Sequence, residues 1–264
     1  MRRGLALLTL TAGASGLVAC NPVGPLKREA VLDTLDIPSL DRVTLTSVFS
    51  SGFENDTDFA GFYVTPQSPY TRHEVRSGVG YSGERAHVAW LTGAVGGEPI
   101  DGPNHRGYPT VQLQKRGKTC TTPCVVQLWV RIDDFTLHSG EWLSLATFST
   151  DASDRWIPVV TVNVGSEGWL HLYHVPTQGR GEWEYQRTDL PFPQGRWVRI
   201  TTWLDLETDG AVAVWQDGEL VSAARFQGGD GSLDQMHFGL YAAPSVTTGR
   251  VMNDEIAVYT ARPK

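Results

Sequence analysis

Basic residues, charge and long apolar runs are all scarce in this sequence, and each shortage excludes a class of protein. Lys and Arg number 22 against 29 Asp and Glu, which argues against a nucleic-acid partner because phosphates favour a basic surface. After residue 20 no apolar run reaches about 18 residues, so no membrane-spanning helix is expected. Charged residues make up only 19% of the chain and Trp numbers 9, a composition that excludes a disordered chain.

The first nineteen residues have the pattern of an export signal. Arg2 and Arg3 give a positive start, and the apolar stretch Leu5–Val18 is too short to span a bilayer comfortably. We therefore expect residues 1–19 to be a signal peptide.

The end of this signal resembles the bacterial lipobox. The string Leu17-Val18-Ala19-Cys20 has the aliphatic and small residues that precede a lipidated cysteine. The resemblance implies that Cys20 is diacylated, and two or three acyl chains anchor a protein stably. Asn21, rather than Asp, follows the cysteine, which resembles an outer-membrane sorting signal. The predicted location is the bacterial cell envelope, in the outer membrane if the host has one.

The other two cysteines, Cys120 and Cys124, lie in the string TCTTPC. An exported protein occupies an oxidising compartment, so we predict a disulfide between them, the alternative being two free thiols. A metal site would need further ligands of the same kind nearby, and the sequence offers none.

The rest of the chain predicts an N-terminal tether at 20–45 and one β-sandwich domain at 46–264. Short aromatic and β-branched runs separated by turn signals favour strands over helices. Hairpin turns are expected at 165–168, 208–210 and 217–218. The predicted strands are His87–Trp90, Thr110–Leu113, Val125–Ile132, Trp142–Phe148, Ile157–Val164, Trp169–His174, Trp197–Leu206, Ala211–Trp215, His237–Tyr241 and Glu255–Tyr259.

Several of these strands alternate between an apolar face and a face of aromatic, amide and cationic side chains. Gln127, Trp129 and Arg131 share one face of their strand, and Trp203 lies on the corresponding face of another. Aromatic planes stack on sugar rings, while guanidinium and amide groups bind hydroxyls and carboxylates. The pattern predicts a sugar-binding surface, unless Trp129 and Trp203 are instead buried under a loop.

The C-terminal third resembles concanavalin-like jelly-roll domains. The shared motifs are a G-x-W strand, a W-x-D-G hairpin, a G-x-Y strand and a closing D-E-I-x-x-Y strand. They occur here at 195–197, 215–218, 239–241 and 254–259, and Gly52-Phe53-Glu54 resembles the opening of such domains. The resemblance implies an all-β fold, a concanavalin-like β-sandwich (jelly roll) of two antiparallel sheets. Glucanases of this superfamily carry Glu-x-Asp-x-x-Glu, which is missing here, so a retaining glucanase is not expected.

A looser resemblance connects the chain with jelly-roll alginate-type lyases. Arg72-His73-Glu74-Val75-Arg76 matches their Arg-x-Glu-x-Arg strand, and Phe238-Gly239-Leu240-Tyr241 resembles the end of their late strand. Gln127-Leu128-Trp129 has Trp where these lyases have His. The resemblance implies that Arg76 and Gln127 neutralise a uronate carboxylate, while His237 and Tyr241 act as base and acid.

Further polar and aromatic side chains are candidates for glycan contacts. The candidate glycan-binding residues are Arg72, His105, Arg106, Tyr108, Gln112, Trp129, Arg131, His174 and Trp203.

Carboxylates near the two ends of the sandwich suit a structural Ca²⁺, with a solvated acidic loop as the alternative. The candidates are Glu54, Asp56, Asp58 and Asp254. No other cofactor is expected, since no His pair has the spacing of a catalytic zinc site.

The sequence therefore predicts an exported, lipid-anchored protein whose partner is a polysaccharide and whose only membrane contact is its lipid. It leaves three functions open. The first is a non-catalytic glycan-binding module, the second a lyase that cleaves uronate-containing glycans by β-elimination, and the third a structural module of the cell envelope.

Overall fold

The computed structural model describes residues 25–56, 62–64, 69–93, 104–153, 156–175 and 183–264, with the backbone alone at 25–29, 174 and 175. An α-helix, α1, spans Pro25–Thr34, and short 3₁₀ turns lie at Leu40–Arg42 and Gln114–Arg116. The strands are β1 (Val43–Ser51), β2 (Tyr63–Val64), β3 (Thr71–Ser77), β4 (Arg85–Leu91), β5 (His105–Gly107), β6 (Pro109–Gln112), β7 (Cys120–Thr121), β8 (Cys124–Asp133), β9 (Trp142–Ser149), β10 (Val159–Gly165), β11 (Leu170–Val175), β12 (Trp183–Gln186), β13 (Val198–Leu204), β14 (Ala211–Gln216), β15 (Glu219–Arg225), β16 (Ser232–Leu233), β17 (Gln235–Ala242) and β18 (Arg250–Pro263).

Two antiparallel sheets make up the fold. The nine-stranded sheet has the order β12-β15-β14-β13-β8-β18-β4-β3, with β1 also paired to β18. The seven-stranded sheet has the order β11-β10-β9-β17-β6-β2, with β5 also paired to β17. The predicted all-β sandwich is confirmed, and each of the ten predicted strands overlaps an observed one.

An apolar core lies between the two sheets. Leu128 and Val130 of β8 belong to the same buried cluster as Leu143 and Phe148 of β9 and Phe238 of β17. Their neighbours along each strand point to the outer faces because side chains alternate with a period of two. Each such buried side chain stabilises the fold by about 1.5–3 kcal/mol, so the inner faces fix the register and the outer faces are left for other roles.

The predicted turns join neighbouring strands. The turn at 165–168 connects β10 to β11, and that at 208–210 connects β13 to β14. Asp217 and Gly218 connect β14 to β15 with φ of 51° and 91°. Two successive positive φ values match the twist of a tight hairpin, and Asp-Gly supplies residues that tolerate them.

The N-terminal segment is part of the fold beyond α1, which differs from the tether expected at 20–45. Leu35 and Ile37 are each 3% exposed and pack in one cluster with Trp203 and Trp215, on the outer face of the nine-stranded sheet. Strand β1 begins at Val43, three residues before the predicted domain boundary. Within the described part of the chain, no helix has the length and apolar character needed to cross a bilayer.

The predicted disulfide is confirmed. Cys120 and Cys124 are bonded, and both are fully buried. The bond joins β7 to the start of β8 and so fixes the loop at that end of the core.

Candidate functional site

The outer face of the seven-stranded sheet carries polar and aromatic side chains, and we call it the polar face. On β17, Met236, Phe238 and Leu240 point into the core, so His237 and Tyr241 lie on the outer face. The same face includes smaller polar side chains from neighbouring strands, most of them buried. These are Thr110, Ser144, Thr147, Ser149, Thr161, Asn163 and Gln235. A buried polar layer on the side away from the core is typical of the floor of a binding site.

His237 lies at the centre of an aromatic cluster on this face. Its ring stacks on Tyr108, with centroids 4.0 Å apart and planes 13° apart, and Trp156 and Tyr241 contact it edge-on at 5.1 and 5.6 Å. Burial, and then the positive charge of Arg106, lower the pKa of His237 to about 3. The imidazole is therefore neutral at neutral pH, and at 6% exposure it is largely covered.

Tyr241 is partly exposed, as are Tyr108 and Trp156. Its hydroxyl oxygen accepts a hydrogen bond of 2.7 Å from Nδ2 of Asn104, and Trp142 contacts its ring edge-on at 5.0 Å. Because the Asn104 amide occupies the oxygen as a donor, the phenolic proton is directed elsewhere. Arg106 is the register partner of Tyr241 on β5, and side chains directly opposite on antiparallel strands lie about 4.5–5.5 Å apart at Cβ.

Tyr108 is the second phenol of the cluster. Burial raises the pKa of Tyr108 to about 12, although Arg106 acts in the lowering direction. Tyr108 thus keeps its proton at any physiological pH.

A bulge shapes β17 at this point. The register with β9 shifts between Phe238 and Tyr241, and Gly239 between them has φ of 120°. A Cβ there would lie 2.8 Å from the Gly107 carbonyl oxygen and 3.1 Å from the ring of His87. Only glycine fits, and the bulge redirects the strand just where Tyr241 leaves it.

The edge of the polar face offers polar atoms that have no hydrogen-bond partner among the described residues. Asn163 and His171 are register partners on β10 and β11. Oδ1 of Asn163 and Nδ1 of His171 are both buried and unpaired. Such atoms are uncommon in folded proteins, and an ordered water or a bound ligand would satisfy them.

The four predicted catalytic residues do not share one face, which corrects the expected site. Arg76 and Gln127 lie on β3 and β8 of the nine-stranded sheet, whereas His237 and Tyr241 lie on β17 of the other. The core separates the sheets, and the outer faces point in opposite directions. Arg76 is instead paired with Glu74 at 2.7 Å and lies over the ring of Trp90.

The predicted glycan-binding residues divide in the same way. Arg106, Tyr108 and Gln112 lie on or beside the polar face. Trp129 and Arg131 lie on the outer face of β8 in the nine-stranded sheet, and Arg72 is exposed on its edge strand β3. The side chain of His174 lies outside the described residues.

Two of these predictions are wrong because the side chains are buried. Trp203 is 4% exposed beneath the N-terminal segment, so the burial alternative holds for it. His105 points inward, where Nδ1 bonds to the Thr71 hydroxyl at 3.0 Å and Nε2 to the Val246 carbonyl at 2.9 Å.

The sequence did not point to Asn104, Trp142, Trp156, Asn163 and His171 as members of the site. Trp142 could have been found, since it alternates with Ser144 on a predicted strand. Trp156 and Asn104 lie between strands, where periodicity gives no signal. Trp156 has φ of 55°, a conformation that is rare for a bulky residue and costly enough to be concentrated at functional sites.

The carboxylates considered for Ca²⁺ hold the 78–85 loop. Asp254 accepts hydrogen bonds from the backbone N–H groups of Tyr81 and Ser82, and Glu54 accepts them from Glu84 and Arg85. Asp56 pairs with Arg85 at 2.8 Å. Asp58 lies outside the described residues, and among those described no cluster of three or more His, Cys, Asp or Glu suits a metal ion. The structural calcium stays a prediction.

Comparison with known proteins identifies the fold. No protein-family model matches the chain, and no curated protein matches it in sequence. The endo-β-1,4-glucuronan lyase of the fungus Trichoderma reesei has a TM-score of 0.60 at 18% identity, over 81% of this chain and 96% of the lyase. The cellulose-induced protein Cip1 has a TM-score of 0.53 at 15% identity, over 80% of this chain and 96% of Cip1. The chain therefore has the concanavalin-like jelly-roll fold that its motifs predicted.

Proposed function

We propose that the protein is an exported lipoprotein that cleaves a uronate-containing polysaccharide by β-elimination on its polar face. The observation that carries the proposal is the pairing of a cation, Arg106, with a partly exposed phenol, Tyr241, on adjacent strands of one outer face. The fold shared with the glucuronan lyase is consistent with this chemistry but does not by itself indicate it.

The reaction requires two contributions from the protein. The uronate carboxylate must be neutralised so that the C5 proton becomes acidic, and that proton must then be moved. Arg106 supplies the positive charge. Tyr241 acts as the phenolate, takes the C5 proton and becomes the neutral phenol, while the electron pair forms the C4–C5 double bond and the bond from C4 to the glycosidic oxygen breaks. The proton returns from Tyr241 to that oxygen.

Neighbouring groups prepare Tyr241 for this role. The Asn104 amide donates a hydrogen bond to the phenolic oxygen and so helps to orient the ring, and Arg106 is the register partner of Tyr241 on β5. His237 is neutral and covered, so we assign it to holding the rings of Tyr241 and Tyr108 in place rather than to proton transfer. This differs from the base role that the sequence predicted for His237.

Substrate recognition on this face is local. The chain carries a net charge of −7, so an acidic glycan gains no long-range attraction, and contacts with Arg106 and stacking on exposed rings must select it. Tyr63 and Tyr173, 54% and 43% exposed on outer strands of the same sheet, offer such rings.

A non-catalytic glycan-binding module is the second candidate. It is favoured by the aromatic side chains around His237 and Tyr241, since Tyr108, Trp142 and Trp156 are suited to stacking whether or not a proton moves.

One experiment separates the two functions. The purified protein is incubated with glucuronan, alginate and pectate, and the ultraviolet absorbance of an unsaturated uronate is followed. Elimination predicts a rise on at least one polymer. Binding to a polymer by calorimetry, without any rise, would instead establish the non-catalytic module.

A further inference from the structure

We propose a second carbohydrate site, an arginine pocket for a carboxylate-bearing sugar, on the sheet opposite the polar face. The pocket has a volume of about 700 Å³ and lies where β8 ends and β18 begins. Its walls include Arg131, Asp133, Asp134, Gln194 and Arg250. Because it lies on the other sheet, it goes beyond the proposed elimination and does not depend on it.

Two guanidinium groups converge in the pocket on one carboxylate. Nε of Arg131 and Nη2 of Arg250 each lie 2.9 Å from a different oxygen of Asp133, whose side chain is 8% exposed. Arg250 is the register partner of Asp133, so the three side chains share one outer face. Asp133 therefore orients both arginines and is saturated by them.

The arginines keep donors to spare. Asp133 uses only Nε of Arg131, which leaves the Nη groups of Arg131 unpaired among the described residues. Asp133 uses only Nη2 of Arg250, which likewise leaves the Nη1 group of Arg250 without an acceptor in that part of the chain. Planar forks of N–H donors fit a carboxylate in bidentate geometry, and their remaining donors fit hydroxyls.

The pocket wall is held rigid before any ligand arrives. The Gln194 amide brackets Phe135, accepting from its N–H and donating to its carbonyl at 2.8 Å in both bonds. The Thr248 hydroxyl donates to the Asp134 carbonyl at 3.2 Å. Asp134 has φ of 61°, a conformation that costs free energy and persists only where the surroundings enforce it. A wall ordered in this way lowers the entropy cost of binding.

An aromatic shelf borders the pocket. Trp129 is two residues from Arg131 on the same face of β8, and the ring of Tyr81 stacks on it at 3.7 Å with 43% of Tyr81 exposed. A sugar ring next to the bound carboxylate can stack on this shelf. The occupant we infer is therefore a uronate residue of a polysaccharide, which the site would hold away from the polar face.

The test follows the Nε–Hε signals of Arg131 and Arg250 by NMR during titration with a glucuronic acid tetrasaccharide. A Tyr241→Phe background slows the proposed cleavage, so that the titration reports binding to the arginine pocket. We expect saturable shifts of both signals. Arg131→Ala or Arg250→Ala should lower the affinity for the tetrasaccharide about tenfold, because each variant removes one guanidinium group and leaves Asp133 with the other as its partner. Arg262→Ala, an exposed arginine on the same strand as Arg250, is the matched control and should change nothing.

A glucose tetrasaccharide and free acetate complete the test. Weaker binding of both supports recognition of a carboxylate on a sugar ring. Shifts that do not saturate, or equal binding of the neutral tetrasaccharide, would overturn the site. The NMR signals of the unmutated arginines show whether the pocket binds the tetrasaccharide even if a pocket variant does not fold.

Discussion

At the scale of single residues, Tyr241 is the group that we propose moves the proton. Tyr241→Phe removes the hydroxyl and the hydrogen bond that it accepts from Asn104, so the fold should persist. We expect the rate of elimination to fall by about 10²–10⁴-fold, the usual contribution of a positioned acid–base group. Tyr173→Phe, an exposed tyrosine on β11 of the same sheet, is the matched control. Equal losses in both variants, measured by ultraviolet absorbance, would argue against Tyr241.

Arg106 links the charge of the site to its aromatic cluster. Its positive charge is the second cause, after burial, of the lowered pKa of His237. Arg106→Gln should therefore raise the pKa of His237 from about 3 towards, but not up to, its ordinary value of 6.5. NMR titration of the imidazole measures this shift. An unchanged pKa would place the guanidinium too far from His237 to serve the same site.

At the scale of elements, the 78–85 loop depends on the carboxylate of Asp254. Burial raises the pKa of Asp254 to about 6, against backbone N–H bonds that lower it. Between the ordinary value of 3.8 and about 6 the folded protein binds this proton more tightly than the unfolded chain does. The contribution of Asp254 to stability is therefore present at low pH and declines as the pH rises through that window.

The variant Asp254→Asn tests this dependence. The difference in free energy of unfolding, wild type minus variant, should decrease between about pH 4 and about pH 6.5. Urea unfolding at both pH values measures it. A difference that grows with pH would show that the hydrogen bonds outweigh burial.

Strands with strong alternation were predictable from the sequence, but their assignment to sheets was not. Both β8 and β17 have an apolar face and a polar face, so each was identified correctly. Nothing in the alternation says which sheet a strand joins, because that is decided by long-range pairing. The predicted site therefore combined Gln127 with Tyr241, which lie on opposite sides of the core.

Short or loop elements were less accessible to sequence analysis. The polar face depends on Asn104 and Trp156, which lie outside strands, and on β5, a strand of three residues. The N-terminal segment was predicted to be a tether because it contains three Pro and only one short amphipathic piece, Lys27 to Leu35, although Leu35 and Ile37 are buried. Leu35 and Ile37 are buried because they pack on Trp203 and Trp215 at the outer face of the nine-stranded sheet. That apolar surface exists only once the sheet has formed.

At the scale of the whole molecule, buried histidines should make the protein sensitive to acid. Burial is the first cause of the lowered pKa of His87, His105, His171 and His237. Below about pH 6.5 the unfolded chain takes up protons that the folded protein excludes, so stability falls as the pH falls. Asp254 and Asp234, whose pKa values are raised, have the opposite effect on stability. The histidines outweigh them because four histidines contribute against two carboxyl groups.

Proton uptake on unfolding measures this effect. At about pH 5 unfolding should take up protons, and the melting temperature should fall on acidification. His171→Gln should reduce the uptake, while His138→Gln, at an exposed position, should not. Net release of protons on unfolding would contradict the account.

Export and lipidation make a prediction about location. We propose that Cys20 carries the lipid, so Cys20→Ser should move the protein from the membrane fraction to the soluble fraction of the cells that produce it. Mass spectrometry of the wild-type N-terminus should show acyl chains on Cys20. A wild-type protein that fractionates like the variant would contradict the anchor.

The central claim is that the polar face performs elimination, and the masses of the products test it most directly. A glucuronan digest is separated and each fragment is weighed by mass spectrometry. Elimination predicts that each fragment with a newly formed non-reducing end is lighter by one water molecule than the corresponding hydrolysis product. It also predicts that Tyr241→Phe yields almost no such fragments. Fragments with the full mass of hydrolysis products, or a polymer that binds and stays intact, would contradict the account.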